Sequence, residues 1–337
     1  MITLEQDRLV FRFPDVHEKA ACGLHFQRTL RLPDNGKTYP LPAGLGPFPL
    51  RHTDDFERVP ELMRKRGGVV MPMWQAEAMW MHFASRSNYP FAVKIATGKI
   101  NAISGEGWMN GLHRNPQDYV VVPDQPWLDG FAVAKGTIRQ FVAAPLGEGI
   151  TAEEQLTGAA EYGGVQIVVH PMKADAYKRL FERRVAERLR SAYDQPMPCA
   201  ASPAMGLAAG GLMKQEIYDD PYDLDVWDLR ASARCFVTLL NAESWHDFTG
   251  EAIPTEPITA AVYRSANIPW FDYYGADQKA VEGSPRLAGL KTIADAATFG
   301  LTGKVWKNES VVVTPPIDLG PGAKPRRTSN EVRQVEF

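Results

Sequence analysis

Asp129, Glu148 and Glu154 lie within one short stretch of this chain. A pair of such carboxyls can hydrolyse a glycosidic bond, one protonating the leaving group while the other activates water or attacks. Arg139 falls among them, in a strand otherwise made of Ile138, Phe141 and Val142, where a guanidinium could clamp a carboxylate or phosphate. Gln125 and Trp127, in the string PDQPWLDG, add an amide and a ring suited to ligand binding. The competing reading pairs Asp129 with Arg139 inside a sheet. It is the favoured one, because ion pairs that serve only the fold place the same residue types together.

A second acidic set, Asp219, Asp220, Asp223, Asp225 and Asp228 in QEIYDDPYDLDVWD, has the carboxylate density to hold Ca²⁺ through several oxygens. Its spacing departs from the twelve-residue calcium loop, so a solvated acidic turn competes with it. Gly206, Gly210 and Gly211 precede Lys214, but a phosphate-binding loop needs Lys directly after its last glycine and then Ser or Thr. A flexible connection is the expectation there. Cys22 and His25 could form a thiol and base pair, yet both sit on an expected strand, where a packed thiol is commoner. The seven histidines show neither H-E-x-x-H nor H-x-H pairing, so no transition-metal motif is present.

Composition narrows the classes. A net charge of −3 over 337 residues gives no electrostatic footprint for nucleic acid. The longest apolar runs, VQIVV and CFVTLL, fall far below the roughly 18 residues that a membrane span needs. Glu5, Asp7 and Arg8 interrupt the place where an export signal would carry its apolar core, and three widely spaced cysteines form no disulfide framework. A cytoplasmic protein without a membrane span is expected.

The elements that must position these residues are mostly extended. LVFRF and GLHFQRTLRL read as strands, with a tight hairpin expected at Asn35-Gly36 and a return through KTYPLP. FAVKIA and KINAIS flank Thr97-Gly98 as a hairpin, and strands are expected near 119–122, 131–134, 137–144 and 164–169. Thr151 and Glu154 have capping-box spacing. Helices are expected over ELMRKR, over MWQAEAMWMHF with most sides buried, over 173–192, and at or near Pro257 and Pro285. MKQEIY, ARCFVTLLN and ESVVVT read as strands.

The strings QPWLDGFAVAKGTIRQFVAAPLGEG, EEQLTG, GGVQI, MGLAAGGLMKQEIY, DPY, WD and IPWFDYY resemble those of a family of bacterial and fungal proteins sometimes labelled integral membrane protein. The likeness runs from about Pro72 to Tyr274. It implies no activity, cofactor or site residue, and the membrane label is at odds with the hydropathy.

The expected fold is α+β and β-rich, with sandwich-like antiparallel sheets and a few packing helices. Its expected parts are a β-rich domain over 1–172, a long helix with a Pro-rich connection over 173–200, and a smaller mixed region over 201–337 ending in an extended tail. The missing catalytic motifs, the Pro/Gly-rich edges and the abundant rings suggest a non-enzymatic protein that self-associates or scaffolds, with a homo-oligomer or protein partner and no cofactor. The alternative is a hydrolase built on Asp129, Glu148 and Glu154, with a carbohydrate-like or anionic small substrate.

Overall fold

The computed structural model describes residues 1–58, 61–185, 205–272, 278–298 and 309–318. The chain is β-rich and α+β, with large antiparallel sheets and few helices. It opens on a hairpin of β1 (Ile2–Glu5) and β2 (Arg8–Arg12), turned by Gln6 and Asp7, both at positive φ. β2 pairs with β3 (Ala21–Thr29), which places Val10 opposite Gly23 and Arg12 opposite Ala21.

β4 (Thr38–Tyr39), β5 (Leu41–Pro42), β6 (Gly44–Pro47) and β7 (Arg51–His52) are all short. Each proline of PLPAGLGPFPL removes a ladder donor, so longer pairing is barred. The Asn35 carboxamide accepts from the Lys37 N–H, forming the expected turn. The hairpin does not follow, because β4 pairs in parallel with β17 (Met205–Lys214) instead of returning along β3.

The stretch expected as a buried helix runs instead from the end of β8 (Val69–Met73), through a turn with Ala76 at φ 66, into β9 (Ala78–Ser85). Met79, Met81 and Phe83 point into the core, while Trp80 and His82 take the opposite face. A strand whose two faces are both apolar or aromatic has no polar alternation to reveal its period of two.

β10 (Phe91–Thr97) and β11 (Ile100–Asn101) form the expected hairpin. β12 (Val120–Val122), β13 (Trp127–Leu128), β14 (Gly130–Ala134), β15 (Thr137–Pro145) and β16 (Val165–Pro171) follow close to their expected places. β17 then pairs along β15, and β18 (Ala233–Asn241) lies between β16 and β8. Strands on either side of residue 172 therefore share one hydrogen-bonded sheet. β19 (Trp270–Asp272) and β20 (Ile317–Asp318) join β5 in a smaller sheet, and ESVVVT forms no regular strand before it.

β17 occupies the glycine-rich run that the sequence suggested was a connection. A Cβ at Gly210 would meet Val142 at 2.5 Å, and one at Gly211 would meet the Pro33 carbonyl at 2.6 Å, so these glycines let neighbouring segments approach closely.

The helices are α1 (Glu61–Arg66), α2 (Ala152–Thr157), α3 (Ala174–Val185), α4 (Trp245–Thr249), α5 (Ala260–Ser265), α6 (Pro285–Ala288) and α7 (Ile293–Thr298). α2 carries the complete capping box of Thr151 and Glu154. α3 buries Ala176, Tyr177 and Leu180, as the periodicity requires. The rest of that expected helix, the Pro-rich connection, Tyr273 and Tyr274, and the tail from 319 onward lie outside the described residues.

Candidate functional site

Asp129 and Arg139 do not form a pair. Asp129 is buried against Gln215, whose Nε2 donates to Asp129 Oδ1 at 2.7 Å while its Oε1 accepts from the Asp129 N–H at 2.9 Å. Burial pushes the Asp129 carboxyl up to about 7, and the Gln215 hydrogen bond only partly offsets this. Arg139 turns instead to Asp34 Oδ1 at 3.4 Å and to the Gly210 carbonyl at 3.3 Å.

Glu154 spends its carboxylate on the turn before α2. It accepts from the backbone N–H groups of Gly147 and Gly149 at 2.8 Å each, and from the Thr151 N–H and hydroxyl. Glu148 lies in that same turn with Oε2 buried and without a hydrogen bond. No hydrogen bond or ion pair joins Asp129 to Glu148 or Glu154 among the described residues.

Gln125 is a bridge between segments. Its Nε2 donates to the carbonyls of Trp127 and Glu216, and its Oε1 accepts from the Tyr218 N–H. Gln117 joins Tyr119 to Tyr218 and Asp220 in the same manner, and Gln140 clamps the Leu30 carbonyl and the Leu32 N–H. These carboxamides supply, across segments that are not paired strands, the donor and acceptor that a ladder would supply.

Two carboxylates of the acidic run, those of Asp220 and Asp228, serve hydrogen bonds within the fold. Asp220 is buried and accepts from the Tyr119 hydroxyl, the Trp227 indole and the Tyr222 N–H. Asp228 caps the N–H groups of Arg230 and Ala231, Asp223 precedes a short 3₁₀ turn containing Asp225, and the Asp219 N–H donates to the Lys279 carbonyl. Among the described residues, no group of three or more His, Cys, Asp or Glu side chains is gathered as metal ligands. Burial raises both the Cys22 and Cys235 thiols to about 12, far from the thiolate form that nucleophilic attack requires.

The concave feature that does stand open is a groove of about 420 Å³ on the outward face of β2, β3 and β9. Strand register builds it: Val10 is opposite Gly23, and Gly23 is opposite Ala84, so small residues from β3 and β9 leave a low floor. Arg8 and Arg12 rise from β2, Arg86 rises just beyond β9, and Glu5, Gln6 and Ser85 complete the rim. The Arg8 stem lies over Gly23, where an added Cβ would sit 3.0 Å from its Cδ. Arg12 is held by Glu5 at 2.6 and 3.1 Å and by Thr3, and its guanidinium draws the Glu5 carboxyl down to about 2.

Toward β13 the same face continues in rings. His25 and His82 are register partners with centroids 4.7 Å apart, and Trp80 approaches His82 at 6.1 Å and Trp127 at 6.3 Å. Of the residues singled out in the sequence, Trp127 joins this surface, Asp129, Arg139, Gln125 and Glu154 serve other contacts, and Glu148 lies in the turn before α2. Gln27 Oε1 and Trp80 Nε1 are buried here without hydrogen-bond partners among the described residues. Arg8, Gly23 and Arg86 carry no shared sequence motif; the only local signal was the strand alternation that sets Gly23, His25 and Gln27 on one side of β3.

Comparison with known proteins finds no matching family model and no similar curated protein or solved structure.

Proposed function

We propose that this chain is a binding protein for a small anionic ligand, seated in the groove between β2, β3 and β9. The observation that carries this reading is a cavity of about 420 Å³ whose floor is Ala21, Gly23 and Ala84 and whose rim presents three arginines against one glutamate. Small-molecule sites commonly span about 300–1,000 Å³. Arginine forks match the oxygens of carboxylates and phosphates. Arg12 braces the rim through Glu5, and Arg8 and Arg86 line the groove beside it.

Calorimetric titration with citrate and with inorganic phosphate tests this reading. Replacing both Arg8→Ala and Arg86→Ala should weaken binding by at least about tenfold, the worth of one charge-assisted hydrogen bond. Gly23→Val, which fills the floor, should weaken it likewise. The reading fails if neither anion binds at millimolar concentration, or if these variants bind as the parent does.

A second reading, self-association, draws on β1, an edge strand whose described pairing is with β2 alone. Light scattering decides it: a monomer at high micromolar concentration argues against association, and a dimer lost on Thr3→Pro argues for it.

A further inference from the structure

The outward face of β10, β16 and β18 carries a second constellation, separate from the groove. Register sets two rows across these strands: Ala96, Gln166 and Phe236 in one, Lys94, Val168 and Arg234 in the next. Val165, Ile167 and Val169 fill the core, so strand alternation turns Gln166 and Val168 to the other face.

Two rings rise over this floor, and each is flanked by two cations. Trp108 has Lys94 Nζ 5.1 Å and the Arg234 guanidinium 5.4 Å from its centroid. Tyr162 has Lys99 Nζ at 4.2 Å and the Arg66 guanidinium at 4.9 Å, and Arg66 also lies 5.4 Å over Phe236. The Trp108 N–H donates to the Lys99 carbonyl at 2.7 Å, which ties the two halves together. Trp108, Arg234, Phe236, Arg66, Tyr162 and Lys99 thus form a collar around Gln166.

Charge within the collar is uneven. Lys94 is spent, donating to Asp118 Oδ2 at 2.5 Å and to the carbonyls of Met109 and Gly111. Arg66 donates to the carbonyls of Glu161 and Tyr162 and lies in the field of the Glu153 carboxylate, and Arg234 donates to the Asn110 carboxamide. Among the described residues, none of Arg66, Lys99 and Arg234 has a carboxylate within salt-bridge distance. Gln166 is 3 % exposed, and its Nε2 donates to nothing. An unpartnered buried donor costs about 1–3 kcal/mol, so its retention amid three cations asks for an acceptor.

We infer that the collar is a second binding site, for the oxyanion head of a small ligand. One carboxylate or phosphate oxygen accepts from Gln166 Nε2, and Arg66, Lys99 and Arg234 balance the charge. A cationic ligand would meet three like charges set against the single Glu153 carboxylate, which is itself held by the N–H groups of Tyr162 and Gly163. The faces of Trp108 and Tyr162 already meet cations, so recognition falls on the oxyanion and not on a stacked ring.

Titration of the full chain with sodium phosphate and, separately, sodium acetate at constant ionic strength tests the site. The wild type should bind at least one of the two, phosphate alone marking a phosphate head and acetate alone a carboxylate head. Gln166→Leu should lose at least about tenfold in affinity while melting no lower than wild type without ligand, because it deletes only an unpaired donor. Lys99→Met, at a half-exposed position that does not risk the fold, should weaken binding as well. The Gln166→Leu and Lys99→Met comparisons are made in the Arg8→Ala, Arg86→Ala background, which removes the groove; that background should itself bind, which separates failure here from failure of the groove. No response to either salt in the Arg8→Ala, Arg86→Ala background, or binding there that survives both Gln166→Leu and Lys99→Met, would overturn the inference.

Discussion

Two groups of glutamines divide this molecule. Gln117, Gln125, Gln140, Gln155 and Gln215 each use both ends of the carboxamide on another segment. Gln27 and Gln166 are as deeply buried, yet Gln27 Oε1 and Gln166 Nε2 bond to nothing among the described residues. The first group joins loops and irregular segments that cannot form ladders, so its hydrogen bonds belong to the fold. In the second, Gln27 lies beside Trp80 on the ringed face next to the groove, and Gln166 lies at the collar. On the proposed reading, incomplete hydrogen bonds separate the glutamines beside the candidate sites from those that serve the fold.

The sealed interior should break first. Lys94→Met leaves Asp118 buried without its ammonium partner, with His113 Nδ1 at 2.8 Å as the remaining side-chain contact, and frees the carbonyls of Met109 and Gly111. Removing one member of a buried ion pair costs about 3–5 kcal/mol, so a loss of this size is expected in urea unfolding. A change below about 1 kcal/mol would mean that water replaces the ammonium freely.

Identical substitutions should then act in opposite directions at two glutamines. Gln140→Leu strands the Leu30 carbonyl and the Leu32 N–H, at about 1–3 kcal/mol for each group, and a loss of about 2–4 kcal/mol is expected. Gln166→Leu strands nothing and should be neutral or stabilising. Equal losses at both positions, measured by thermal or urea unfolding, would remove the distinction between the two groups.

Asp129 adds a pH-dependent test. Its folded value of about 7 lies above the ordinary 3.8, so the folded state holds a proton that the unfolded chain releases between those values. The protonated carboxyl is accommodated fully below about pH 4, and stability is lost as pH rises toward and through 7. Asp129→Asn keeps an acceptor for Gln215 without the charge. The shift sets a ceiling of about 4 kcal/mol, and relaxation makes a gain of about 2 kcal/mol at about pH 8 the expected value, with none at about pH 4. A gain of equal size at both pH values would trace the effect to packing instead of charge.

The smallest effect on stability is expected at the groove. Arg86→Ala should change unfolding by less than about 0.5 kcal/mol, as surface substitutions away from special features do, while anion binding falls. A large loss of stability would make the rim part of the fold and not part of a site.

Much of the fold was legible in the residues. Alternation marked β3, β10, β15 and β16, the Thr151 and Glu154 spacing marked α2, and Pro285 marked the first turn of α6. β9 was not legible, because Trp80 and His82 lie opposite Met79, Met81 and Phe83 and mask the period of two. β17 was not legible, because its glycines answer to contacts with Val142 and Pro33 that lie far away in sequence.

For the candidate site, the sequence supplied residue types and local periodicity. It placed Arg139 on one strand, residues 164–169 on another, and Asp129 in the string PDQPWLDG before the strand at 131–134. Partners were another matter, since they depend on which strands become neighbours: Gln215 for Asp129, Asp34 for Arg139, Arg86 beside Arg8, Arg66 beside Tyr162. Those neighbours are set by pairings between segments tens to hundreds of residues apart, which hydrophobic burial over the whole chain selects and no local spacing encodes.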